Sequence, residues 1–540
     1  TVYKMPAIVT DQFRILNASN FVENVTNGSN SYYVFIGLAN PKTPTENTKL
    51  FGRDWNWNSS GQTPAPIDNF SNNYHVGDTI LYGKKITADN IRRVIRKVTW
   101  EPNTRYDFYR DDVSYENKSK NTNVSNLYSS NYYVINKEFK VYVCISNGAT
   151  GSNPQGNISA DEPNFTDLEP SKAGGSGDGY LWKYLFTVSP ADIIKFDSTE
   201  YITVPNNWST SVDPSIRSVR ENADSTVNSN QLKHVYIDNA GIGYGNFTGK
   251  ECDILGDGGG AKARVDATSG KITNVVVSAG GKGYSYGIVD LGTSNTSSIQ
   301  TLAKLVPLIP PSRGHGFDIY TELGTDKVLI YARFDDATKD FPVDAKFAQV
   351  GILKNPTKSE STEIFSEGQF SGLPAIKMDD SDSLSLPSGS LSVGEKITQL
   401  RGDGKTAEAY VASYDIDTHV IKYFRDRSLN YSTAQDQTDY SGVANKGTFY
   451  DFESTKANNT PANNIVGENG YSGQVYSSFT GITTASKDGT KVINLGTTFN
   501  EGLSKSEINK GSGDLVYVDN RPLIARNPRQ KEDVKIILEF

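Results

Sequence analysis

At 540 residues the chain exceeds what one hydrophobic core ordinarily serves, and at roughly 100 to 200 residues per domain it divides into about three or four. A formal charge of −8 and a pI near 5.3, without any long Lys/Arg run, supply no field for a phosphate backbone and argue against nucleic acid as a partner. No stretch reaches the ~18 consecutive apolar residues of a membrane span, and the best run (302–311, LAKLVPLIPP) is broken by prolines, so no membrane partner is expected. Hydrophobic residues make up 36%, with 30 Tyr and 23 Phe, which points to aromatic and β-branched burial in strands rather than Leu-rich helices. The first residues lack the apolar segment of a signal peptide, and Cys144 and Cys252 are too few for a disulfide framework; a soluble protein made in a reducing cytosol is expected.

In chain order, 31–38 (SYYVFIGL) predicts a strand. Residues 87–98 (TADNIRRVIRKV) predict a helix: Thr87 can cap it and Ile91, Val94, Ile95 and Val98 recur at helical spacing. Arg92, Arg93, Arg96 and Lys97 then fall on a solvated or salt-bridging face. Residues 137–146 (KEFKVYVCIS) predict another strand. The glycines of 174–188 (GGSGDGYLWKYLFTV) fit no phosphate-loop register and precede a strand instead of opening a helix. In that strand Tyr180, Trp182, Tyr184, Phe186 and Val188 share one face, while Leu181, Lys183, Leu185 and Thr187 share the other. A strand apolar on both faces is expected in a core or subunit interface rather than as a platform for sugars or bases. Ser189 and Pro190 open a short helix in SPADIIKF.

The segment IDNAGIGYG (237–245) recurs as VSAGGKGYSYG (277–287), which places Tyr244 and Tyr284 at equivalent positions after a strand and a glycine turn. Two copies are too few for a solenoid and read as halves of one small β-domain. Further strands are expected at 327–334 (KVLIYARF), 515–519 (LVYVD) and 534–540 (VKIILEF). Between them, 357–504 is a Ser/Thr/Asn/Gly-rich all-β module with hairpin turns at Asp403-Gly404 and Asp488-Gly489.

The chemistry-bearing residue types form no constellation. His75, His234, His315 and His419 are scattered singly, without a Cys/His cluster. MDDSDS (378–383) lacks the Gly and Glu of a calcium loop and reads as a solvated acidic turn. In RGDGKT (401–406) Gln399 stands where a phosphate loop needs its first glycine, leaving a hairpin turn. No G-x-S-x-G elbow is present, and carboxylate pairs that converge only in space leave no spacing to read. Asn-x-Ser/Thr triplets at 17–29 are what this composition supplies by chance. The expectation is a protein that is not an enzyme, with no catalytic, cofactor-binding or metal-binding residues.

Four segments together carry a family resemblance: AIVTDQFR (7–14), GDGYLWKYLF (177–186), EYITVP (200–205) and GDLVYVDNRPLIARNPRQKEDVKIILEF (513–540), with weaker matches at 103–112 and 328–356. In this order they resemble the baseplate wedge subunit of contractile-tailed, myovirus-type bacteriophages. The resemblance covers 1–205, 314–357 and 505–540. It leaves 206–313 and 358–504 as two inserted all-β modules, so the chain looks like an enlarged member of that family. It implies a mainly β, multi-domain fold of β-sandwich-like layers with a few short helices. The implied role is a homodimeric structural virion protein of the tail baseplate, assembled in the host cytoplasm and joining neighbouring wedge proteins. It carries over no catalytic residues. Tyr180, Trp182, Tyr184, Phe186, Tyr517, Asn520 and Arg521, which lie in its motifs, are the core or interface candidates. The alternative is a receptor- or glycan-binding tail adhesin in which the inserts touch glycan, with Tyr244, Tyr284, Trp55 or Trp57 exposed in a shallow groove.

Overall fold

The structure is a computed structural model that describes residues 10–38, 70–224, 229, 231–292, 299–334, 346–425, 450–485, 489–490, 492–525 and 531–540. The expectations for Trp55, Trp57 and Asp488, and for the motif residues 7–9, 335–345 and 526–530, lie outside the described residues. The protein is mainly β: among the described residues 27 strands accompany five α-helices, α1 (Asp11–Asn27), α2 (Phe70–Thr79), α3 (Pro190–Phe196), α4 (Pro214–Ala223) and α5 (Ile319–Leu323). The chain forms two compact units, the first made of Thr1–Val22, Arg92–Leu329 and Ile537–Phe540, the second of Glu23–Ile91 and Ile330–Ile536. The 206–313 segment falls in the first and 358–504 in the second.

The first unit is centred on a three-stranded antiparallel sheet in the order Tyr133–Ile135, Lys140–Asn147, Tyr180–Thr187. Its strands are aromatic and β-branched and are buried on both faces, as a layer covered from two sides must be. Helix α3 forms where Ser189 accepts the Asp192 N–H (3.1 Å) and Pro190 occupies the first turn, as the sequence predicts. Helix α1 has no such sequence signal. Thr10 caps it (Phe13 N–H to Oγ1, 3.3 Å), and Ile15, Ala18, Val22 and Val25 form its buried stripe, while Phe13 and Leu16 stay exposed and blur the pattern.

The helix expected over 87–98 does not form. A short 3-10 turn, Ala88–Asn90, leads into the strand Ile91–Arg96, whose Arg93 to Arg96 pair antiparallel with Val204 to Tyr201. Its β-branched residues satisfy either period, and pairing with a neighbouring strand decides between them. Of the two roles expected for the basic side chains, the salt-bridging one is found, on a strand instead of a helix. Arg92 pairs with Asp192 (2.9 Å), Arg93 is buried with its guanidinium over the Tyr320 ring, Arg96 donates to the Ser130 carbonyl (2.9 Å) and Lys97 pairs with Asp197 (2.8 Å).

Also in the first unit, Lys271–Lys282, Gly259–Thr268, Phe247–Gly256 and Gly287–Val289 make a four-stranded antiparallel sheet in that order, and Val235–Asn239 pairs with Lys304–Pro307. Ala261, Ala263, Val265, Cys252, Ile254 and Tyr284 fill their core. Each half of the sequence repeat builds the same lock. Gly241 (φ +69°) and Gly281 (φ +62°) lie under the ring of the tyrosine three residues on, where a Cβ would sit 2.4 Å from Tyr244 and 2.7 Å from Tyr284. The Tyr244 hydroxyl accepts the Ala303 N–H (2.8 Å). Tyr284, 1% exposed, accepts the Ala261 N–H (3.2 Å) and donates to the Ile254 carbonyl (2.9 Å).

The second unit holds a five-stranded antiparallel sheet in the order Gln369–Ser371, Ile80–Lys85, Tyr32–Gly37, Lys346–Lys354, Asp514–Ala525, with the central strand buried throughout. A seven-stranded sheet runs Ser472–Gly473, Ile465–Gly467, Lys396–Leu400, Thr406–Asp415, Val420–Phe424, Ala375–Lys377, Leu503–Ser504, and Gly481–Ala485 pairs with Val492–Phe499 beside it. The RGDGKT segment is the hairpin turn between Lys396–Leu400 and Thr406–Asp415, with Leu400 opposite Thr406.

The tyrosine lock sets a stability expectation. Tyr284→Phe leaves a buried amide and carbonyl unpaired and is expected to cost about 1–3 kcal/mol. Gly281→Ala, at positive φ and against the ring, is expected to cost a similar amount, about 1–3 kcal/mol. Urea unfolding of each variant, read with amide exchange at Ala261, checks both.

Candidate functional site

The strand that the sequence singles out faces inward on both sides. Tyr180 and Trp182 stack with ring centroids 5.3 Å apart, Tyr106 meets Trp182 edge-on at 5.8 Å, Tyr184 meets Tyr142 at 5.8 Å and Phe186 meets Trp208 at 6.1 Å. All four predicted residues are at most 5% exposed within one hydrophobic cluster. The Tyr180 hydroxyl accepts the Tyr106 N–H (3.0 Å) and donates to the Asn157 carbonyl (2.9 Å). The preceding glycine loop does hold an anion, but it is the protein's own: the Ser176 N–H donates to the Asp161 carboxylate (2.8 Å), and hydrogen bonding by the Ser176 side chain first, then by this N–H, lowers the Asp161 pKa.

On the reverse face Lys183 is buried, and its ammonium donates to the Leu168 carbonyl (2.5 Å), an acceptor shared with Asn222 (2.8 Å). Burial pushes its pKa down to about 8. His234 lies edge-on to Phe108, its Nε2 sealed from solvent without an acceptor or donor, and burial lowers its pKa to about 4. His315 is buried against the Tyr109 ring, and its Nδ1 lies 2.7 Å from the Glu322 carboxylate, whose second oxygen accepts the Gly316 N–H (2.7 Å). The seven-residue separation of His315 and Glu322 matches no motif, so only the turn into α5 reveals the pair. His419 meets the Tyr414 hydroxyl at 3.0 Å, and the His75 side chain lies outside the described residues. Among the described residues no group of three metal-ligating side chains converges, and no helix is long and apolar enough to cross a membrane.

The last motif divides its candidates differently. Asn520 is buried and accepts from the Gln349 amide (2.9 Å) across the strand pair, Tyr517 is half-buried opposite Ile352, and Arg521 is exposed, paired with Asp519 at 2.8 Å. The four aromatic residues and Asn520 thus occupy core positions, while Arg521 reaches the surface. Tyr244 is partly and Tyr284 fully buried, so neither forms the exposed platform of the adhesin alternative. In MDDSDS the carboxylates are not merely solvated. Asp380 pairs with buried Lys377 (2.5 Å), Asp379 accepts the Ser381 N–H and Asp382 accepts those of Leu384 and Ser385.

Within the second unit a cleft of about 990 Å³ opens over Tyr423 and Phe452, with Asp451, Glu501, Glu360 and Lys505 at its rim. Nothing in the sequence marks it, because its walls come from stretches far apart in the chain. No family model matches this chain, and no curated protein matches it.

The two buried titratable groups, His234 and Lys183, predict a pH profile. His234 has a folded pKa below its unfolded value near 6.5, so its stabilising effect is complete above pH ~6.5 and is lost as pH falls toward 4, by about 1–3 kcal/mol. His234→Phe is expected to flatten that acid limb in unfolding experiments. Lys183 has a folded pKa of about 8 against an unfolded value near 10.4, so the unfolded chain binds more protons in between and stability rises from about pH 8 toward 10. Lys183→Met is expected to abolish that rise and to leave stability at pH 7 unchanged or higher, since it removes a buried charge held by one carbonyl.

Proposed function

We propose that this chain is a structural subunit of a contractile phage tail, a baseplate wedge protein that joins neighbouring wedge proteins during assembly. The observation that carries this reading is that the segments sharing the family resemblance serve as framework. Tyr180 to Phe186 lie in the first unit's core, and Asp514–Ala525 forms a strand of the five-stranded sheet in the second. The Tyr180 hydroxyl, the Lys183 ammonium and the Asn520 amide oxygen are engaged internally, which suits a rigid subunit whose exposed residues are left for partners. The burial-perturbed Lys183 and His234, in turn, are enclosed by protein rather than aimed into a shared opening. A glycan-binding role would need surfaces other than Tyr244 and Tyr284.

Mass spectrometry of purified tails, with immunogold labelling of the particles, tests the reading. The chain is expected at the baseplate end in stoichiometric amounts, and its absence from tails would overturn the proposal. Light scattering on the purified chain is expected to give a dimer, about twice the 59.1 kDa of one copy. A strict monomer at micromolar concentration would remove the homodimer from it.

A further inference from the structure

The cleft of the second unit has a floor and a rim of opposite character. The Phe452 and Tyr423 rings meet edge-to-face at 5.0 Å, and both are nearly buried, so they present an apolar base rather than a stacking platform. The Arg425 guanidinium lies 5.4 Å from the Tyr423 ring and 5.5 Å from that of Phe452, and donates to the Glu408 and Tyr450 carbonyls and to Asp451 (3.0 Å). That cation is therefore spent within the protein.

The other two cations of the lining are engaged as well. Lys505 pairs with Glu360 (2.6 Å), and Lys510 donates to the Asp78 and Gly372 carbonyls. Among the described residues five carboxylates line the cleft against these three cations; Asp78 is buried and Glu360 is paired with Lys505, so the negative charge at the opening comes from the exposed Glu501, which accepts from the Ser454 hydroxyl (3.3 Å), and from Asp451, whose side chain stays exposed beside its Arg425 partner. The volume suits a ligand rather than a few waters. A negative rim repels phosphate and carboxylate groups and attracts ammonium or guanidinium groups, while the apolar base favours an aliphatic or aromatic side chain between them.

We propose that this cleft is a docking site for an extended basic segment of a neighbouring protein, one that sets an apolar side chain on the Tyr423/Phe452 floor and Lys or Arg against Glu501 and Asp451. This rests on the reading of the chain as an assembly subunit. Engagement of a partner segment rich in Lys or Arg makes the contact salt-sensitive.

Selection of a random linear-peptide library against the full chain tests it. Enriched peptides are expected to carry Lys or Arg beside Leu, Phe or Trp. By fluorescence anisotropy their dissociation constants are expected to rise about tenfold or more with Glu501→Lys, less with the milder Glu501→Gln, and with added salt. Circular dichroism melts confirm that both variants fold. Recovery of no peptide above background, enrichment without basic residues, or unchanged affinity in folded Glu501→Lys would each overturn the proposal. So would a neutral oligosaccharide on a glycan array whose binding Glu501→Gln abolishes, which would assign the cleft to sugar. Failed selection with the chain present in tails removes the cleft inference alone; peptide binding by a chain absent from tails removes the assembly reading instead.

Discussion

Covering a strand on both faces requires a layer above it and a layer below it, and leaving the polar groups it carries inward without partners there is costly. Tyr180–Thr187 imposes that requirement on the first unit. Much of the answer comes from residues 148–179, which join it to the preceding strand without regular secondary structure. They supply the Asn157 carbonyl to the Tyr180 hydroxyl, the Leu168 carbonyl to Lys183, the Phe165 carbonyl to Tyr142 and a two-way bridge between Ser171 and Trp182. A connection of this length is uncommon in a compact domain. Here its backbone does the work of a layer.

The second unit meets the same demand with a different economy of polar groups. Tyr32–Gly37 is buried along its whole length, and the Tyr33 hydroxyl is bonded to the Glu367 carbonyl (2.7 Å). Around the seven-stranded sheet two lysines are among the buried polar groups. Lys422 lies over the Tyr82 ring (4.2 Å) with the Tyr82 and Ser371 hydroxyls as acceptors, and Lys377 bonds Asp380 and the Thr418 carbonyl (2.7 Å). Buried ammonium groups contribute little net stability, because desolvation offsets the attraction they gain. What they do is fix which loop lies against which strand. In this protein the residues that look most chemical in the sequence, the acidic MDDSDS turn among them, are drawn into that positioning role.

Short strands were legible wherever aromatic and β-branched residues alternate between glycine- and asparagine-rich turns, as at Tyr32–Gly37, Lys140–Asn147, Lys327–Phe334 and Glu532–Glu539. Helix α3 was legible because its cap and proline are local. Over 87–98 the period misled, since Ile91, Val94 and Ile95 fit a helix face and a doubly covered strand equally well, and of the arginines that suggest a polar helix face Arg93 is buried and bonded to the Asn206 carbonyl and Arg92 to Asp192, while Arg96 stays exposed. Helix α1 was missed for the converse reason: exposed Phe13 and Leu16 hide its buried stripe. Of the candidate residues, the aromatic row announced its own burial. The His315–Glu322 pair and the cleft over Phe452 did not, because the first depends on one turn and the second on segments that meet only in space.

The β character, the short elements with their turns, the burial of Tyr180 to Phe186 and the equivalence of Tyr244 and Tyr284 are all written locally in the chain, since they follow from side-chain period and from glycine positions within a few residues. Tertiary structure alone decided whether Ile91–Arg96 would be helix or strand, which carbonyls would receive Lys183 and Tyr180, and that Phe452, Tyr423 and Glu501 would share one opening. Those outcomes turn on non-local pairing, whose partners lie tens to hundreds of residues away and leave no trace in local spacing.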